Sequence, residues 1–148
     1  MTAINVQNRQ RAVRLDLRWL RRFAALAVEA CRGFSADGRF ALQSIAEVEV
    51  AIVSDRTIAR VHQEFMEIPS ATDVITFEHG EIVMSAETAQ LYAAEHGHTV
   101  EQELALYTVH GLLHLNGYED ASPDDATEMH RVQDQILAQC LAQLPTSP

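Results

Sequence analysis

Thr108-Val-His-Gly-Leu-Leu-His-Leu-Asn-Gly-Tyr-Glu-Asp120 ties a helix to a metal-binding spacing within thirteen residues. His110 and His114 stand four residues apart in a segment of helical periodicity, so both imidazoles leave one face of one helix, a turn apart. Gly117 follows where a helix can end in a left-handed turn at little steric cost, and that turn brings Asp120 back towards the histidines. The expected site is three ligands, His110, His114 and Asp120, on a helix and the turn after it. Three protein ligands leave a fourth position for water, the pattern of a catalytic rather than a structural zinc site.

Working outward, Thr99 and Gln102 form a capping box that starts this helix. Glu103, Leu106, His110 and His114 share a stripe along it, while Val109, Leu112, Leu113 and Leu115 must be buried, so the histidine face belongs at the edge of the core. Downstream, Ser122-Pro123-Asp124-Asp125 starts a last helix running to about Leu144, with Met129, Val132, Ile136, Leu137, Cys140 and Leu144 inward. Upstream, Ile4 and Val6 mark a short strand, and Leu15–Cys31 a core-packing helix that holds Trp19 inward and stops at Gly33. Ile45–Val53 alternates as a strand, and Ser54 caps a helix from Asp55 to Phe65 with Ile58, Val61 and Phe65 inside. After a break at Pro69, Ser70 and Ala71, Thr72–Phe77 and Gly80–Met84 read as neighbouring strands joined by a turn at Glu78-His79-Gly80. Ser85 then begins a short helix through Glu95, ended by Gly97.

A chain of 148 residues, 47% hydrophobic, suffices for one domain spanning residues 1–148. No run approaches the roughly 20 apolar residues of a membrane span and no signal-peptide core precedes Arg9, so a cytoplasmic protein is expected, with no membrane partner. Cys31 and Cys140 are expected as buried, reduced thiols. A net charge of −10 argues against non-specific coating of nucleic acid. The charge is uneven: residues 1–40 hold eight arginines against three acids, the remainder three arginines against eighteen acids, and there is no lysine. Every side-chain cation is thus a guanidinium, suited to bidentate phosphate contact, although a solvated helix face explains the same run.

The spacing His-x-x-x-His-x-x-Gly-x-x-Asp follows the logic of extended zincin sites. Zincin proteases carry a glutamate just after the first histidine as general base, and that position is Gly111 here. Peptidase chemistry is therefore disfavoured against metal-activated water with another proton acceptor, for which Glu119, Glu103 and Asp73 are the candidates.

His-Gly-Leu-Leu-His-Leu-Asn-Gly-Tyr-Glu-Asp, with Thr-Asp-Val-Ile-Thr-Phe and Gly-Glu-Ile-Val-Met-Ser upstream, resembles the YbeY family of bacterial rRNA maturation factors. The similarity spans roughly Val48 to Leu137 and includes Met129, Gln133, Ile136 and Leu137. It implies an α+β fold with a small mixed sheet of about four strands covered by helices, and one Zn2+ per chain. It also implies a metal-dependent single-strand endoribonuclease acting on ribosomal RNA, with roles in small-subunit processing and ribosome quality control and the ribosome as a possible partner.

Two departures matter. The family's third histidine falls on Asp120, whose negative charge should weaken the metal as a Lewis acid and raise the pKa of its water; His130 is a less fitting substitute. The family's cleft arginine falls on Met66, which cannot neutralise phosphate, and its common asparagine on His62. Arg60 or the N-terminal arginines are the candidates to replace the lost charge. A ribosome-assembly protein with decayed catalysis is the corresponding alternative.

Overall fold

The central strands set the architecture, because the near-continuous apolar runs 50–53 and 82–84 give the sheet two apolar faces that both need cover. A computed structural model describes residues 2–67 and 72–145, and the break expected at Pro69, Ser70 and Ala71 lies outside the described residues. Along the chain come β1 (Ala3–Asn8), α1 (Leu17–Cys31), a 3-10 turn (Ala41–Ser44), β2 (Glu47–Val53), α2 (Asp55–Met66), β3 (Val74–Phe77), β4 (Glu81–Ser85), α3 (Ala86–His96), α4 (Val100–Leu115) and α5 (Pro123–Leu141). The fold is α+β, with a four-stranded sheet in the order β1-β2-β4-β3. β1 and β4 flank β2 in parallel, and β3 joins β4 antiparallel, pairing Val74 with Met84 and Phe77 with Glu81.

On one face Val6, Val48, Val50, Ile52, Ile82 and Met84 meet α1, α4 and α5 in the main core. On the other, Ala51, Val53, Ile75 and Val83 form a smaller cluster under Ile58 of α2. α4 is apolar nearly all round and lies against α1, α3, α5 and β3, as a helix of that composition must. Gly111 makes its close seat on the sheet possible: a Cβ there would stand 2.8 Å from Ile82 Cδ1 and 3.1 Å from Thr76 Oγ1.

The caps expected at Ser54, Ser85, Thr99 and Ser122 all form, including the reciprocal pair of Thr99 and Gln102. Trp19 is buried, stacked on Phe23. Some details differ from expectation. α1 starts at Leu17 rather than Leu15, because the Asp16 carboxylate caps it by accepting from the Trp19 N–H at 3.0 Å. It ends at Cys31, just before the expected stop at Gly33, with the right-handed Arg32 as its cap. Phe65 is 63% exposed rather than inward, since the small outer cluster does not reach the last turn of α2; its ring meets Phe77 edge-on instead. α5 ends at Leu141, though Leu144 still packs on the core.

Candidate metal centre

α4 stops in the way its sequence requires. Gly117 has φ 93°, its N–H bonds the His114 carbonyl at 3.1 Å, and the Tyr118 N–H bonds the Leu113 carbonyl at 3.1 Å. These two bonds are the Schellman closure, which satisfies the last carbonyls and reverses the chain. Asn116, fully buried, fixes the turn to the rest of the fold: its Oδ1 accepts from the Leu42 N–H at 2.9 Å, and its Nδ2 donates to the Cys31 carbonyl at 2.9 Å and the Phe34 carbonyl at 2.7 Å. The chain leaves this turn with Asp120 beside the two imidazoles.

The three side chains converge. His110 Nε2 lies 3.0 Å from His114 Nε2 and 3.4 Å from Asp120 Oδ2, and His114 Nε2 lies 3.9 Å from the same oxygen. Ligands about 2.0–2.1 Å from a tetrahedral zinc stand about 3.3 Å from one another, so the triangle has the right size. Tautomers strengthen the fit. His110 Nδ1 faces Gln133 Oε1 at 2.8 Å and His114 Nδ1 faces the Tyr118 carbonyl at 2.8 Å, both acceptors. Each Nδ1 therefore carries the hydrogen, and each Nε2 presents a lone pair. Two lone pairs 3.0 Å apart beside a carboxylate repel unless a cation lies between them. Burial, opposed by the hydrogen bond to Gln133, holds the His110 imidazole below its usual pKa, which favours the neutral form that ligates.

A cleft of about 320 Å³ opens over the histidines, lined also by His62, Met66, Thr72, Glu78 and Glu119. Glu119 is thus placed beside the pair, exposed at the cleft rim. Asp73 lies in the adjoining cavity with His110, its Oδ1 accepting from the Val74 N–H at 2.7 Å. Glu103 is not brought to the triad. It sits two turns earlier on α4, with its buried carboxylate held by His98 and His96. His130 is exposed on α5 in that second cavity. Gly111 faces the sheet rather than the cleft, so the zincin glutamate position points away from any substrate.

Met66, 45% exposed, does line the histidine cleft, so the arginine position of the family resemblance falls in that cleft. Of the N-terminal arginines, Arg9 bonds Gln7, Arg21 the Val6 carbonyl, and Arg32 Glu29. Arg39, 83% exposed and 3.9 Å from Asp37 Oδ2, lines a cavity with His114, Glu78 and Glu119. Sequence reading had no means to single it out, because it reaches the site through a loop. The orienting role of Gln133 and the grouping of His96, His98 and Glu103 were also not read from sequence; a His-x-His pair before a helical glutamate was the available signal for the latter.

The family model described as "YbeY: Endoribonuclease YbeY" matches residues 5–141. The chain belongs to the YbeY family. Among YbeY relatives, the "Endoribonuclease YbeY" of Mycolicibacterium vanbaalenii is 35% identical over 71% of this chain and 67% of its own length. That of Mycolicibacterium gilvum is 36% identical over 66% of each chain, so the match spans about two thirds of these YbeY proteins. The solution structure of TM1509 from Thermotoga maritima shares the fold, with a TM-score of 0.62 at 24% identity, covering 97% of this chain and 91% of that one.

Proposed function

We propose that this chain is a zinc-dependent endoribonuclease that cuts single-stranded RNA in small-subunit rRNA maturation and ribosome quality control. The observation that carries the reading is the convergence of His110 Nε2 and His114 Nε2, 3.0 Å apart, with Asp120 Oδ2 in an open cleft of a YbeY-family fold. His110, His114 and Asp120 would hold one Zn2+. When bound, the cation supplies a Lewis acid to a phosphodiester oxygen and to the attacking water. Gln133 and the Tyr118 carbonyl fix both imidazoles in the ligating tautomer. Glu119, at the cleft rim, would accept the proton of the attacking water, with Asp73 as the second acceptor; the Glu103 carboxylate is engaged by His96 and His98 instead. Arg39 offers the guanidinium that Met66 lacks.

The chain is taken as one domain over residues 1–148, working in the cytoplasm; no helix among the described residues is long and apolar enough to cross a membrane. A second reading, an assembly factor with decayed catalysis and ribosomal partners, is favoured by Met66 in the cleft. A zincin peptidase is opposed by the orientation of Gly111. Cleavage of a single-stranded rRNA fragment that requires added Zn2+ and is lost in His114→Ala supports the nuclease. Unchanged RNA after metal loading, with RNA binding retained, establishes the assembly factor.

A further inference from the structure

α3 ends at His96, Gly97 turns the chain with φ 72°, and α4 begins at its Thr99 cap, so His96 and His98 fold back over the first turns of α4. There they meet Glu103. His98 Nε2 lies 2.5 Å and His96 Nδ1 3.2 Å from the same Glu103 oxygen, and the three ligand atoms all lie within 4.8 Å of one another. The Glu103 side chain is 3% exposed, whereas His98 and His96 are 30% and 53% exposed. A carboxylate this deep is costly unless positive charge joins it. Beside it Tyr107 is buried, its hydroxyl close to Glu103, and it lines the same cavity.

From this arrangement we propose a second divalent-cation site, built from His96, His98 and Glu103 and separate from the His110 centre. Two imidazoles and one carboxylate are a ligand set of open zinc sites, and His96 and Glu103 line the cavity that also contains Asp73, Glu95 and His110. Glu103 and His110 are seven residues apart on α4, about 10 Å along its axis, so the two cations are not a bridged pair, which requires about 3.5–4 Å. They bind independently, and the second places positive charge on a wall that also carries Asp73 and Glu95.

The test is metal stoichiometry, which does not depend on nuclease activity. Untagged protein is stripped with chelator and loaded with Zn2+, bound metal is counted by elemental analysis, and Co2+ absorption reports the ligand field. Wild type should take two equivalents, His110→Ala/His114→Ala one, and His96→Ala/His98→Ala one. A wild type that stops at one equivalent, with none left in His110→Ala/His114→Ala, overturns the second site and leaves the first intact. One equivalent in wild type, kept by His110→Ala/His114→Ala and lost by His96→Ala/His98→Ala, upholds it and removes the first. If circular dichroism shows His96→Ala/His98→Ala unfolded, the metal count of folded His110→Ala/His114→Ala decides alone: one equivalent supports the site and none refutes it.

Discussion

Replacing Gln133 with leucine separates orientation of a ligand from the ligand itself. Gln133 is 7% exposed on α5, and its Oε1 takes the hydrogen of His110 Nδ1 at 2.8 Å. Leucine is close in size and matches glutamine in helix propensity, so stability should change by less than about 1 kcal/mol. His110, however, loses the acceptor that sets its tautomer and ring angle. Removing such a partner typically weakens metal binding about 10–100-fold, or about 1.4–2.7 kcal/mol. The assay is Zn2+ competition against a chromophoric chelator at neutral pH, with the exposed Gln135→Leu on the same helix as control. A folded Gln133→Leu protein whose first Zn2+ affinity stays within about twofold of wild type would refute the assignment of Gln133.

Asn116→Ala strands the Leu42 N–H and the Cys31 and Phe34 carbonyls in the interior, and urea unfolding should show a loss of about 3 kcal/mol. Gly111→Glu, which recreates the zincin protease spacing, should yield no casein hydrolysis and should unfold at lower urea by at least about 1–3 kcal/mol, because the new side chain enters Ile82 and Thr76. Met66→Arg should tighten single-stranded RNA binding and steepen its log–log salt dependence by about 0.7, as one added phosphate contact requires; an unchanged slope would mean the cleft does not carry the backbone. Burial pushes the Cys31 thiol above its usual pKa, so the thiolate is scarce below the raised value. Cys31 should resist a disulfide reagent in the native protein at pH 8 and react on unfolding, which thiol titration with and without denaturant will show.

The fold was legible because each element carries a local signal that the core then accepts. The capping box at Thr99, the alternation of Val48, Val50 and Ile52, and the proline start at Pro123 each act within a few residues. Phe65 was misread for the opposite reason: helical spacing says which residues share a face, not how far the opposing sheet extends. The same division holds at the site. His110, His114 and Gly117 converge through one helix and its cap, so spacing brings Asp120 with them. Arg39 arrives from a loop after α1, and Gln133 from α5, by tertiary packing that no spacing encodes. Glu103 shows how a shared stripe misleads, since it lies on the histidine face yet two turns from it, with partners supplied by α3 and the turn after it.

Asp120 and Met66 alter the proposed chemistry in the same direction. Two neutral imidazoles and one carboxylate leave a divalent cation with one positive charge, whereas three imidazoles would leave it two. Met66 removes a further guanidinium from the cleft wall. The arginine-rich N-terminal region does not make up the difference as a block, because Arg9, Arg21 and Arg32 are engaged with their own neighbourhood. Under the proposed function, attraction of a polyanion to this cleft in a chain of net charge −10 would rest on the cation held by His110, His114 and Asp120 and on Arg39, which Asp37 shares. Metal loading should then affect RNA affinity as well as cleavage, so RNA affinity should be read with the metal content known.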